Sequence, residues 1–303
     1  MKKLHVVVSL PNDNSYHHEQ AAMALATGRR LGLEVEILQA NNDAVVQSQQ
    51  VLNTIQSGSV SRPDAILFEP LTMTGLVRAA EAAVAAGIGW VVLNSDVDYL
   101  DRLRSTSNVP VFSVTRDHTE IGRIQGRQFA ALSPEGGTVL YIQGPANSPA
   151  AAQRTAGMES AKPGNIQIKA LRCNWEEASA HQAVSSWLRL STNRSTSISV
   201  VGCQYDGMAR GARRAFEDLP KGEREMWLKL PFTGVDGLPQ EGKAWVDAGM
   251  LAATVVSPTT TQVALQMLVQ AVNTGTQAPR RTLIELASYP TLEALSAKAD
   301  FRS

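Results

Sequence analysis

Short, nearly continuous apolar runs alternate along this chain with longer segments of mixed polarity. "LHVVVSL" precedes a helical segment near 16–31, and "LEVEILQ" precedes one near 43–57. "DAILFEP" precedes "MTGLVRAAEAAVAAG", "GWVVLNSD" follows, and "VPVFSV" leads into "DHTEIGRIQGRQFAAL". The second half repeats the plan: "GTVLYIQG", "IQIKALRC", "SISVVGCQ", "LKLPFTGVD" and "LAATVVS" each precede a helix-like stretch. Apolar strands of this kind are buried on both faces, so their alternation with helices predicts an α/β fold with parallel sheets covered on both sides. About ten strand–helix units exceed one ordinary sheet, and two doubly wound parallel-sheet lobes accommodate them. The change of lobe is expected near 115–118, after "VFSVTRD". Pro11, Pro70, Gly144-Pro145 and Gly237 break the chain at strand ends. Gly32, Gly87 and Gly249 sit where helices should stop. The tail from "YPTLEAL" onward reads as an appended surface segment.

Charge and composition narrow the function. The chain has 303 residues, 44% of them hydrophobic, with 28 basic and 28 acidic side chains. It can bury full cores, but no basic stripe exists to neutralise nucleic-acid phosphates, so no nucleic-acid partner is expected. Arg210, Arg213 and Arg214 are followed one turn on by Glu217 and Asp218, the pattern of a solvated helix face. No apolar run reaches the roughly 18 residues of a membrane span, so no membrane insertion is expected. The start "MKKLHVVVSLPNDN" has too short an apolar run for a signal-peptide core. Two expectations follow: a periplasmic protein whose signal was trimmed, or a cytoplasmic one starting at Met1. Cys173 and Cys203 make no disulfide framework and read as small buried thiols.

Candidate chemistry concentrates at strand ends, where doubly wound sheets bind ligands. The first such end, "VSLPNDNSYHHEQAA", admits a metal site, a phosphate cradle or a pocket for a polyhydroxy ligand. Adjacent His17 and His18 point about 100° apart on a helix and lack a partner at the i+4 spacing of a zinc helix, so no metal is expected. There is no G-x-x-x-x-G-K-[ST], and the glycines of "AGIGWVV" precede a strand when a dinucleotide turn needs them after one. No G-x-S-x-G elbow points to a nucleophile. A polyhydroxy ligand gains from every loop. The first half offers Asp13, Ser15 and Tyr16, then Glu69, then Asn94, Ser95 and Asp96. The second half offers Arg154, Asn174 and Trp175, then Gln204, Tyr205 and Asp206, then Asp236. Sugar hydroxyls both donate and accept, so carboxylates, amides and an arginine fork satisfy them. The C–H face of a sugar ring packs on an aromatic plane, here Tyr16 and Trp175.

At these residues the chain resembles the type I periplasmic binding proteins, the family of ribose-binding protein and the lac-repressor core. The matching stretches are "PDAILFEP" with "AAGIGWVVLNSD", "DHTEIGRIQGRQF", "VLYIQGPANSPAAAQRTAGM", "CQYDGMARGARRAF" and "FTGVDGLPQEGKAWVDAGMLAATVVSP". The resemblance implies two lobes joined by a three-segment hinge, residues 1–116 with 258–282 and 117–257 with 283–303. It implies a ligand held in the cleft by hinge closure. It implies ligand contacts from Asp13, Ser15, Tyr16, Glu69 and Asn94 in the first lobe. In the second it implies Arg154, Trp175, Tyr205, Asp206, Asp236 and Ser257. His17 and His18 then face away with the following helix. The strands ending at Cys173 and Cys203 then flank a third strand, too far apart to bridge. Ribose-binding members show Asp-Arg where this chain has Asn94-Ser95, and Asn where it has Glu69 and Tyr205; the expected ligand is a sugar, polyol or cyclitol other than ribose, with amino sugars open. The implied protein is a monomer without cofactor or catalytic residues, serving an ABC-type transporter or a sensor. Two alternatives are a cytosolic effector-binding regulator without its own DNA-binding domain, and an enzyme using carboxylates such as Glu69, Asp96, Asp206 and Asp236.

Overall fold

The computed structural model describes residues 3–56, 58, 62–72, 76–190 and 197–300. The chain forms two compact units, Met1–Arg116 with Thr259–Ile284 and Asp117–Pro258 with Glu285–Ser303. It therefore passes between them three times. The second and third passages fall one and two residues beyond the expected positions. The third is late because strand β11 (Arg281–Leu283) pairs with β5 (Val111–Thr115), and Ile284 N–H donates to the Thr115 carbonyl at 2.9 Å.

The first unit is a six-stranded parallel sheet. Its remaining strands are β1 (His5–Leu10), β2 (Glu34–Gln39), β3 (Ala65–Phe68) and β4 (Gly89–Leu93), in the order β11-β5-β4-β3-β1-β2. Side chains alternate between its faces. Val6, Val8, Leu10, Leu67, Val91, Leu93 and Phe112 meet helices α1 (Ser15–Leu31) and α11 (Thr260–Thr274) on one side. Val7, Ile66, Phe68, Trp90 and Val92 meet α2 (Ala44–Gln56), α3 (Val77–Ala85) and α4 (Leu100–Ser105) on the other. Each such buried side chain stabilises the unit by roughly 1.5–3 kcal/mol. The start of the expected helical stretch "MTGLVRAAEAAVAAG", residues 73–75, lies outside the described residues. Helix α1 begins where Asn14 accepts the His17 N–H at 3.0 Å and stops at Gly32, whose φ of 72° is left-handed.

The second unit holds β6 (Gly137–Gln143), β7 (Ile166–Arg172), β8 (Val200–Cys203), β9 (Phe232–Asp236), β10 (Ala253–Val256) and β12 (Ala287–Tyr289). The order is β12-β10-β9-β8-β6-β7, parallel except for β12. Its helices are α5 (His118–Leu132), α6 (Pro149–Ala161), α7 (Glu177–Leu188), α8 (Asp206–Glu217), α9 (Lys221–Leu228), α10 (Ala244–Asp247) and α12 (Leu292–Asp300), with a π-helical turn at Pro239–Lys243. Helices α5 and α6 are nearly in backbone contact. A Cβ on Gly122 would lie 2.0 Å from the Arg154 carbonyl oxygen, and one on Gly157 would lie 1.9 Å from that of Thr119. Glycine at both positions is what lets the backbones approach.

Three expectations are met by particular contacts here. The tail lies at the surface but is anchored to the second unit: Tyr289 pairs with Thr254 of β10, and Leu295 is buried. The arginine face of α8 is solvated at Arg210 and Arg214, as expected, while Arg213 is half-buried. Arg213 reaches Glu217 at 3.3 Å, and the exposed Arg210 and Arg214 pair with Glu177 at the start of α7. Cys173 and Cys203 follow β7 and end β8, with β6 between, and both are free buried thiols. Burial pushes the Cys173 thiol up to about 12.

Candidate functional site

In each unit the polar side chains gather beyond the carboxyl ends of adjacent parallel strands. In the first unit four neighbouring strands contribute. Tyr16 and His17 come from the helix after β1, Glu69 follows β3, Asn94 follows β4, and Arg116 follows β5. The Tyr16 hydroxyl donates to Asn94 Oδ1 at 3.0 Å and accepts from Gln20 Nε2. Gln20 is held in turn by Thr260 and by the backbone N–H and hydroxyl of Thr261. Asn94 Nδ2 donates to Glu69 Oε2 at 2.5 Å. The Arg116 guanidinium lies 4.3 Å over the Tyr16 ring.

His17 belongs to this cluster, contrary to the expectation that it faces away. It is only 7% exposed. Asn12 fixes its orientation: Asn12 Nδ2 donates to Asn42 at 2.7 Å, and its Oδ1 accepts from Asn14 N–H at 3.0 Å. In the 2.6 Å contact between His17 Nδ1 and Asn12 Oδ1, the hydrogen therefore sits on Nδ1. Nε2 then faces Glu69 Oε2 at 3.3 Å. Burial pushes the Glu69 carboxyl up, but the charge and hydrogen bond of His17, the Arg116 charge and the Asn94 hydrogen bond outweigh it and leave the carboxyl below its usual range. His18 is exposed, as expected of it. Ser15 is half-buried at the start of α1, and Asp13 is exposed in the preceding loop. Asp96 is engaged elsewhere, with Arg280 Nη1 2.9 Å from its Oδ2.

In the second unit the cluster turns on Gln204, fully buried beyond β8. Its Nε2 donates to Tyr141 Oη at 3.1 Å, to the Ala151 carbonyl at 3.1 Å and to Thr155 Oγ1 at 3.0 Å, and its Oε1 accepts the Gly144 N–H at 3.0 Å. Its backbone carbonyl accepts from the guanidinium of Arg154 on α6. Arg154 is 4% exposed and lies 5.3 Å from the Trp175 ring. Trp175, in the loop after β7, packs on Gly144, where a Cβ would lie 2.3 Å from the indole. Tyr205 is buried at the entry to α8. Asp236 ends β9, and Ser257 follows β10 with its N–H donating to the Asp236 carbonyl at 3.0 Å.

Two of the strand-end residues are conformationally unusual. Asn94 has φ 56° and Asp236 has φ 109°, both in the left-handed half of the map that non-glycine residues avoid. Each unit thus carries one such residue within its strand-end cluster. Asp206, expected as a ligand contact, is engaged within the unit. It is 1% exposed, and its two oxygens accept from Thr254 Oγ1 and Gly237 N–H, each at 2.7 Å. Burial, then the Asp236 charge, hold its carboxyl well above the usual range against those two hydrogen bonds. Sequence reasoning missed His17 and Arg116 as members of these clusters, whereas Gln204 was among the strand-end residues it offered. Arg116 stands just past a strand end, so the same strand-end rule reaches it. Among the described residues, no group of three or more His, Cys, Asp or Glu side chains is placed to hold a metal ion, and no helix is long and apolar enough to cross a membrane.

Residues 6–277 match the family model described as "Periplasmic binding protein domain". The D-allose-binding periplasmic protein of Escherichia coli K12 is 29% identical over 75% of this chain and 70% of its own length. The D-allose-bound solute binding protein of Actinobacillus succinogenes 130z superposes with a TM-score of 0.80 at 20% identity, over 97% of this chain and 100% of that one. The myo-inositol-bound solute binding protein of Bacillus halodurans C-125 gives 0.77 at 21% identity, over 98% of each.

Proposed function

The chain belongs to the periplasmic binding protein domain family, and from that premise we propose that it captures a neutral sugar, polyol or cyclitol by closing its two units on it. In this reading it performs no chemistry and delivers the ligand to an ABC-type transporter or a sensor in the periplasm. One observation carries the choice of ligand class. Each strand-end cluster pairs an arginine and an aromatic ring with carboxylate or amide acceptors: Arg116, Tyr16, Glu69 and Asn94 in one unit, Arg154, Trp175 and Asp236 in the other. Hydroxyls use both donors and acceptors, and C–H faces use the rings.

The charge arrangement favours a neutral ligand. Glu69 already has His17 beside it and feels the Arg116 charge. An ammonium ligand would add a cation beside Arg116, and a phosphate would meet the Glu69 carboxylate. The allose and myo-inositol named for the similar proteins are both neutral polyhydroxy compounds, which supports the same class.

The test is a thermal-shift screen of the purified protein, unfolded and refolded to strip any retained ligand. A native-state ligand stabilises the fold by about 2.7 kcal/mol at 100 times Kd, so the unfolding midpoint rises as its concentration passes Kd. Neutral aldoses, ketoses, polyols and cyclitols are compared with matched amino sugars and sugar phosphates. The expected result is a shift with one neutral stereoisomer and little with its epimers. A shift confined to amino or phosphorylated compounds would overturn the ligand class.

A further inference from the structure

We propose that Asp206 is a positioning residue for Asp236: its carboxylate holds the Asp236–Gly237 corner in its left-handed conformation at the end of β9. The inference rests on the reading above for the purpose of that corner, since Asp236 is one of the residues offered to the ligand.

Three observations converge on this role. Asp236 and Gly237 are consecutive left-handed residues, with φ of 109° and 60°. An Asp at φ 109° persists only where its surroundings over-determine it. Asp206 supplies the determinant. Its Oδ2 accepts the Gly237 N–H at 2.7 Å, which fixes the peptide between the two strained residues. Its Oδ1 accepts from Thr254 Oγ1 at 2.7 Å, which ties the same carboxylate to β10. One side chain thus spans the start of α8, the end of β9 and the neighbouring strand.

The chain also makes room for that carboxylate. A Cβ on Gly234 would lie 2.1 Å from Asp206 Oδ1, and one on Gly242 would lie 2.1 Å from Oδ2. The carboxylate is enclosed by backbone on two sides, and its oxygens are directed at β9 and β10. The titratable groups acting on it are Asp236 from β9, Glu241 from the π-helical turn and Cys203 from β8. With burial, the like charges of Asp236 and Glu241 raise its proton affinity, while the Gly237 and Thr254 hydrogen bonds favour the carboxylate.

The test needs no ligand, so a failure here and a failure of the sugar-binding reading are distinguishable. Amide hydrogen exchange is followed by NMR in the full chain and in the variants Asp206→Ala, Asp206→Asn and Thr254→Val. Asp206→Ala should speed Gly237 exchange by about tenfold or more while the Ala252 amide, bonded to the Phe232 carbonyl at 2.7 Å, keeps its rate. Asp206→Asn should rescue Gly237, because the amide oxygen still accepts from Gly237 N–H and the amide nitrogen can donate to Thr254. Thr254→Val should fall between. A crystal structure of Asp206→Ala should show Asp236 relaxed to negative φ. Unchanged Gly237 exchange in Asp206→Ala, or an Asp206→Asn variant as unprotected as Asp206→Ala, would overturn the proposal. If Asp206→Ala does not fold, the unaltered protein decides. The Gly237 amide proton shift should follow the titration of the Asp206 carboxyl carbon, and an indifferent amide would overturn the proposal.

Discussion

Asn94 donates its side-chain amide to the Glu69 carboxylate at 2.5 Å while its oxygen accepts from Tyr16 at 3.0 Å, so one left-handed residue aligns both a charge and a ring. The alignment depends on the β4 end, where Asn94 N–H also donates to the Val114 carbonyl at 2.9 Å. A charged acceptor and an aromatic face are thereby set on adjacent strand ends.

Glu69→Gln should flatten the acid side of the stability profile. The native carboxyl lies below its unfolded value of 4.5 because His17, Arg116 and Asn94 outweigh burial. Its contribution is therefore present above pH 4.5 and lost as pH falls through the lower native value. Urea titrations from pH 3 to 7 check this: the unaltered protein should lose stability through that window faster than the variant. His17→Gln should move the Glu69 carboxyl upward, read by carbon-13 NMR.

Arg154→Ala should leave the protein folded and weaken sugar binding by about 1.5–3 kcal/mol, the worth of a hydrogen bond to a charged group. It also frees the Gln204 carbonyl and removes the cation beside Trp175, so the tryptophan emission should shift. Titration calorimetry with fluorescence separates the two effects. Lysine should not restore binding, because it lacks the planar fork.

Gly157→Ala should destabilise the second unit by about 1–3 kcal/mol, because the added methyl has no space between α5 and α6. The closest obstacle is the Thr119 carbonyl oxygen at 1.9 Å, which cannot rotate away. Denaturant midpoints measure the loss. Arg154 sits on the displaced helix, so ligand affinity should fall with it.

Asp236→Gly should raise the unfolding midpoint while lowering affinity. A φ of 109° suits glycine, and relief of such strain is worth on the order of 1–3 kcal/mol. A residue that stabilises the chain when replaced and disables binding is one kept for function. Differential scanning calorimetry with and without sugar reads both quantities.

The alternation of strands and helices was legible because each inner strand is apolar throughout, and the strand-end rule then located Tyr16, Glu69, Asn94, Arg154, Trp175 and Asp236. Side-chain direction was not legible. Adjacent positions on a helix diverge by about 100°, which argued for His17 turning away from Tyr16. The two rings instead meet edge to face at 5.3 Å, because Asn12 and Asn14 hold the loop and the first helical turn. Asp206 stands one residue past Tyr205 at a strand end, yet its partners are Thr254 and Gly237, contacts between elements that spacing does not reveal. Strand β12 was not legible, because it is only three residues long and joins the sheet antiparallel, against the pattern of the other strands among the described residues.

The most direct measurement is titration calorimetry of the neutral sugar or cyclitol found in the screen, against the stripped protein, Glu69→Gln and Asp236→Ala. Each variant alters one unit. The expected result is one-to-one binding that weakens at least tenfold in each variant, since a buried hydroxyl then loses a charged partner. Binding that survives both substitutions unchanged would contradict capture by the two strand-end clusters.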